Sequence, residues 1–141
     1  MIQRIQTLYW TVAILLVILV FLVSDVMVYQ LEGENFSFKS GVMFIFFSIT
    51  FTLSVLLAII NFKKVKKQLQ LAKISLVING LLIIYLLTIR FFGQNILFFN
   101  PLTLKTDIGF YLIIITFPLS FLAYSGVKRD KSLLDSLDRL R

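Results

Sequence analysis

The chain has no cysteine and no histidine, and these two absences remove more chemistry than any residue present supplies. Without cysteine there is no disulfide framework, no thiol nucleophile and no thiolate metal site. Without histidine there is no imidazole to move protons near neutral pH. A four-helix thiol oxidoreductase needs paired cysteines, so it is excluded. An intramembrane serine protease normally sets a histidine or lysine base beside its serine, and that class is badly weakened. Charge is also missing where it would matter most. Four long apolar runs, residues 7–28, 41–62, 71–89 and 108–127, carry no Lys, Arg, Asp or Glu near their middles.

Each run is long enough, or nearly so, to cross a hydrocarbon core about 30 Å thick at 1.5 Å per helical residue. The 141 residues are 59% hydrophobic with a mean hydropathy of +0.95, against ~45–50% apolar for an ordinary soluble domain. The excess falls in blocks, which a soluble core would not need. Four spans leave little but loops, so a single transmembrane domain with a cytoplasmic tail at residues 128–141 is expected. The first run exceeds the ~7–15 apolar residues of a signal peptide and lacks a small-x-small site near Ser24, so it reads as an uncleaved anchor.

The net charge of +7 would suggest nucleic acid on a soluble protein. Here the basic residues flank the spans and no recognition module accompanies them, so no nucleic-acid partner is expected. Placing both termini and the second loop on one side collects Arg4, Lys63, Lys64, Lys66, Lys67, Lys73, Lys128, Arg129, Lys131, Arg139 and Arg141 there. Only Lys39, Arg90 and Lys105 remain on the other. In short loops this bias sets orientation, so both termini are expected in the cytoplasm. Lys63, Lys64, Lys66 and Lys67 would also meet anionic headgroups, at about 1 kcal/mol per basic residue near the surface.

The first outer loop holds Asp25, Glu32 and Glu34 against Lys39. Residues 26–31 and 35–39 flank the turn-forming Glu32-Gly33-Glu34, and residues 35–39 alternate polar and apolar side chains as a strand with one buried face does, so a short β-hairpin over the outer helix ends is expected. The third loop, residues 95–107, has β-prone residues around an Asn100-Pro101 turn. Residues 36–40 and 102–106 share the order apolar, hydroxyl, apolar, Lys, hydroxyl, and each leads into a span that ends in a basic cluster. Two parallel helix–loop–helix repeats would produce this pattern, as would coincidence.

The polar residues left inside the spans are Ser48, Thr50, Thr52, Ser54, Ser75, Asn79, Thr116 and Ser120. Ser75 and Asn79 are four apart and share a helix face with Ala72. Thr50, Thr52, Ser75, Asn79 and Ser120 are the candidates for interhelical polar contacts, each worth ~0.6–2 kcal/mol in a membrane. The alternative is a midplane ligand site lined by the same groups. Asn79 is the costliest to leave unpaired, so it should face another helix. Pro118 removes a backbone donor and frees the carbonyl near Ile114, which Thr116, Ser120 or a neighbouring helix could satisfy. Small four-helix drug exporters rely on a glutamate in their first span, and this one has nothing more polar than Thr11, which disfavours proton-coupled transport.

In the tail, Leu133, Leu134, Leu137 and Leu140 form one helical stripe. The pairs Lys131–Asp135 and Asp135–Arg139 add only ~0.2–0.5 kcal/mol each, so a tail helix must be buried against a surface or partner to persist. Arg139 and Arg141 are its candidate contacts to acidic groups.

Two strings carry a resemblance. The opening Met1-Ile2-Gln3-Arg4-Ile5-Gln6-Thr7 and the closing Lys128, Asp130, Leu133, Leu134, Ser136, Asp138, Arg139, Leu140 and Arg141 resemble a family of small bacterial membrane proteins. That family is catalogued only as a domain of unknown function and occurs mainly in one phylum of Gram-negative bacteria. Its members are about this length with four predicted spans, and they typically begin MIQRIQT and close on a K-x-D-x-x-L-[LV]-x-S-x-D-R-L-R-like tail. Leu69-Gln70 and the Pro118 region also match. The loop departs by being all lysine where a mixture with arginine is implied, so no Arg-specific contact carries over. The resemblance implies location and architecture, and no activity.

The fold expected is all-α and membrane-embedded: an up-down four-helix bundle, a small extracytoplasmic β-hairpin cap, and a short amphipathic C-terminal helix in the cytoplasm. The role expected is that of an accessory or scaffold protein in a bacterial inner membrane, with no catalytic residue, cofactor or metal. Its expected partners are membrane lipids and either an unidentified protein or further copies of itself. The alternative is a carrier of an uncharged or lipid-like molecule. An enzyme ranks third, since Asp25, Arg90, Asp107 and nearby hydroxyls are its only chemistry.

Overall fold

A computed structural model of the chain describes residues 2–23, 25–31, 34–37, 41–96 and 105–139. Helices dominate it: α1 (Ile2–Val23), α2 (Val42–Ile60), α3 (Val65–Ile96) and α4 (Ile108–Arg139). All four contain stretches long and apolar enough to cross a membrane. At 1.5 Å per residue, α1 and α2 are roughly 33 and 28 Å long, whereas α3 and α4 reach roughly 48 Å.

The helices alternate in direction around a ring. The heaviest contact is between α1 and α4, α3 packs on both α4 and α2, and α1 and α2 touch more lightly. The turn between α2 and α3 spans only residues 61–64 and is closed by its own polar groups. Asn61 Nδ2 donates to the Leu57 carbonyl at 2.8 Å, and the Lys64 N–H donates to the Asn61 carbonyl at 2.9 Å. A turn this short forces antiparallel neighbours.

At the opposite end sits a small sheet of β1 (Met27–Leu31), β2 (Glu34–Ser37) and β3 (Lys105–Thr106), in the order β2-β1-β3. Strand β1 is antiparallel to both neighbours, with Val28 opposite Ser37 on one edge and Lys105 on the other. The two similar segments that precede α2 and α4 thus supply strands to opposite edges of β1. The Glu32-Gly33 turn, the Asn100-Pro101 turn, residues 38–40 and residues 102–104 lie outside the described residues.

The interior follows one rule on every helix. The seam, beside which Ser54 and Phe110 are also buried, consists of Gln6, Trp10, Ala13, Val17 and Val20 on α1, and Phe44, Ser48, Phe51, Val55 and Ala58 on α2. On α3 it comprises Gln68, Ala72, Ser75, Asn79, Leu82 and Leu86, and on α4 Ile113, Thr116, Ser120, Ala123 and Val127. Their spacing alternates between three and four residues, the seam of left-handed, near-antiparallel helix packing. Small and hydroxylated side chains recur along it, which lets the helix backbones approach closely. The outward faces are as greasy as the inward ones: Leu22, Val42 and Phe91 are each more than 70% exposed. Apolar surface of this extent marks a face for a membrane or another protein.

Three expectations change. The tail is not a separate short helix, because α4 runs unbroken from Ile108 through Pro118 to Arg139. Nothing in residues 128–132 breaks a helix, and Pro118 is absorbed within it. The second loop is shorter than the charges imply, since α3 begins at Val65 and takes Lys66 and Lys67 into its first turn. Lysine is a good helix former, so a basic run ends the apolar span without ending the helix. Finally, α1 starts at Ile2, well before the apolar run at residue 7.

Candidate functional site

The polar groups of the bundle gather in separate places. Mid-bundle, Asn79 on α3 meets Thr116 and Ser120 on α4, and all three are fully buried. Asn79 Nδ2 donates to Thr116 Oγ1 at 3.0 Å and to Ser120 Oγ at 3.2 Å, which uses both of its protons. Ser120 Oγ in turn donates to the Thr116 carbonyl at 2.8 Å. The single Thr116 hydroxyl proton has two acceptors, the Ile113 carbonyl at 2.6 Å and Asn79 Oδ1 at 3.1 Å. An amide that would be costly alone in hydrocarbon is spent on joining two helices.

The other candidate hydroxyls do not join this layer. Thr50 donates to the Phe46 carbonyl, Thr52 to Ser48 and Ser75 to Ala72, each within its own helix. A hydroxyl has a carbonyl one turn back within constant reach, so it can satisfy itself locally where a carboxamide cannot. The hydroxyls of Thr116 and Ser120 likewise use the Ile113 and Thr116 carbonyls rather than that of Ile114.

A second buried cluster carries no signal in hydropathy. Gln6 on α1 is buried against α4 and donates from Nε2 to Asp130 Oδ2 at 2.7 Å, the short distance of a bond to a charged acceptor. Gly126 makes room for it: a Cβ there would lie 2.7 Å from Gln6 Cγ. One turn away, Trp10 is also fully buried. Among the described residues neither Gln6 Oε1 nor Trp10 Nε1 has a hydrogen-bond partner. The alternating 6–10–13–17–20 spacing with the facing Gly126 is the one trace this cluster leaves in the sequence.

Near the sheet, Asp107 ties chain segments together rather than offering a free acid. Asp107 Oδ2 accepts the Asp25 N–H at 3.2 Å. The Asp107 N–H donates to the Val26 carbonyl at 3.2 Å, and the Gly109 N–H to the Asp25 carbonyl at 3.1 Å. An acidic residue just before α4 suits the positive end of that helix. Asp25 and Arg90 have interaction partners as well.

The lysines converge at the other end. Lys63, Lys64, Lys66 and Lys67 from the turn and α3 meet Lys131 and Asp135 from α4 around a cleft of about 330 Å³, with Val65 and Leu134 as its apolar lining. Lys63 Nζ also lies 5.8 Å from the centre of the Phe62 ring. Leu133 and Leu134 remain nearly half exposed. Arg139 is the last residue of α4, and Arg141 lies outside the described residues. A separate groove of about 280 Å³ between α1 and α2 is walled by apolar side chains including Val17, Phe21 and Leu56, with Thr52 and Ser48 on its lining. The buried Ser48 hydroxyl has no hydrogen-bond partner among the described residues.

Alternating helix directions, a seam of small and polar side chains, and apolar outward faces define the class. This is a four-helix bundle whose helices have the length and apolarity of membrane spans. The chain belongs to the family described as domain of unknown function DUF4293, whose model matches residues 2–140. No curated protein and no solved structure matches it.

Proposed function

We propose that the chain is a non-enzymatic, multi-pass protein of the bacterial inner membrane, an accessory or scaffold that engages a protein or lipid partner through its basic end. The observation that carries this reading is the closure of the Asn79 layer. The one carboxamide in mid-bundle has both protons bound by Thr116 and Ser120, so the polar groups best suited to hold a ligand are consumed by packing. What stays accessible is the cleft of lysines and the half-exposed Leu133 and Leu134. In this orientation the basic end, with both termini, faces the cytoplasm, and the three-stranded sheet forms a cap on the far side.

Two tests address it. Reporters fused at either terminus or within residues 61–64 should report the cytoplasm, and those near Gly33 or Pro101 the outside. An external carboxyl terminus overturns the four-span arrangement. Deleting residues 136–141 should leave insertion intact while abolishing recovery of crosslinked partners from native membranes. If the truncated protein recovers the same partners and restores a null strain, the tail is not part of the interaction surface.

A second reading, carriage of an uncharged or lipid-like molecule, has one observation in its favour. The α1–α2 groove opens where these neighbouring helices touch lightly, and Ser48, whose buried hydroxyl has no hydrogen-bond partner among the described residues, lies on its lining. Transport assays with Ser48→Ala would separate it from the scaffold reading.

A further inference from the structure

We propose that the lysine cleft is a binding site for the phosphate headgroup of an anionic phospholipid. It rests on the reading of the bundle as membrane-spanning, and goes beyond charge-set orientation by assigning a defined site. Orientation needs only that basic residues lie on one side; it does not need them to line one shared cleft. Here segments some seventy residues apart do so, with Lys131 of α4 brought to the four lysines around the start of α3.

Two features point to a phosphate. Five lysines against one aspartate leave the lining strongly positive. The lysines also sit at the wrong end of their helix. The positive end of a helix favours anions, yet the first turn of α3 holds no acidic residue and is flanked and filled by Lys63, Lys64, Lys66 and Lys67. The first bond of α3 runs from the Gln68 N–H to the Lys64 carbonyl. The N–H groups of residues 65–67 therefore have no acceptor within the helix, as at any helix start. A bound anion offsets both the clustered charge and the helix end.

The lipid source is favoured by position. The cleft begins directly after the apolar end of α2, at headgroup depth, and Val65 and Leu134 give it an apolar wall for the glycerol end of a lipid. A soluble anion would make no use of that wall.

The test uses the full-length chain in phosphatidylcholine nanodiscs with and without phosphatidylglycerol. Readouts are the shift in unfolding midpoint and lipid adducts retained in native mass spectrometry. Phosphatidylglycerol should raise the midpoint of the wild type. The triple substitution Lys64→Gln, Lys67→Gln, Lys131→Gln should weaken retention on the order of a hundredfold and remove the shift. Lys73→Gln, Lys128→Gln, Arg129→Gln, an equal charge loss outside the cleft, should keep both. Asp135→Asn should increase both, and this gain does not depend on whether the triple variant folds well. Equal losses in the two triple variants, or no gain with Asp135→Asn, overturn the site. If inorganic phosphate in lipid-free detergent reproduces the full shift with the same variant pattern, the ligand is a soluble phosphate and the lipid proposal fails. Failure of the topology reporters instead would strike the membrane reading itself.

Discussion

Replacing Gly126 by alanine is expected to destabilise the bundle, against the usual sign of a glycine-to-alanine change in a helix. In an open helix interior the alanine would gain roughly 0.5–1 kcal/mol. Here its Cβ would lie 2.7 Å from Gln6 Cγ, 3.1 Å from Nε2 and 3.2 Å from Cδ. Gln6 cannot swing aside freely, because it is buried and held by its 2.7 Å bond to Asp130. Relief comes either from parting α1 and α4 or from breaking that bond. Overpacking costs about 1–3 kcal/mol, and a lost bond to a charged acceptor costs roughly 1.5–3 kcal/mol, less here since Asp130 is partly exposed. The net loss should be about 1–3 kcal/mol, read as a lower unfolding midpoint in detergent and weaker crosslinking between α1 and the end of α4. Adding Gln6→Ala removes the colliding atoms, so the double variant should recover part of the loss. Additive losses would show that the alanine's cost does not arise from a collision with Gln6.

How legible was this in the sequence? The helices were, because long apolar runs and the charges that bound them are local features of the sequence. Their ends were not. A lysine run such as Lys63 to Lys67 marks where an apolar run stops, but α3 begins within it, since lysine favours helix. The tail leucines suggest a separate helix for the same reason. Polarity changes at Lys128, whereas the backbone of α4 does not.

The site was legible only where it needed a partner. Asn79 stood out because a carboxamide in hydrocarbon demands one, and its neighbours on α4 were already marked by the hydroxyls near Pro118. Thr50, Thr52 and Ser75 looked equivalent in composition, yet a hydroxyl closes on its own helix, so its presence says little about what lies opposite. The Gln6–Asp130 contact was invisible for a different reason. It joins residues 124 apart, and both lie near the ends of apolar runs, so neither seems out of place. Hydropathy cannot show which face of such a helix is inside, because Leu15 and Leu22 are outside while Ser75 and Gln68 are buried. The seam of small and polar residues shows it.

The largest asymmetry is expected in the Asn79 layer. Asn79→Val, a change of similar size, should cost little. Thr116 and Ser120 still have the Ile113 and Thr116 carbonyls to donate to, and interhelical hydrogen bonds in membranes average about 0.6 kcal/mol with a maximum near 1.7. Removing the other side is different. Thr116→Val with Ser120→Ala strips both acceptors from the Asn79 amide while leaving it fully buried. An amide left without partners away from water costs about 1–3 kcal/mol by protein mutational measures, and more against hydrocarbon. The double variant should therefore lose roughly 3 kcal/mol or more, with α3 and α4 separating first. The triple variant, which deletes the stranded amide as well, should regain most of that loss even though it carries one more substitution. Unfolding midpoints for the three variants decide it. If the triple variant is the least stable, Asn79 contributes through its shape and not through its hydrogen bonds. If Asn79→Val alone is as damaging as the double variant, the amide holds contacts beyond Thr116 and Ser120, and the layer is not the closed structural lock on which the scaffold reading depends.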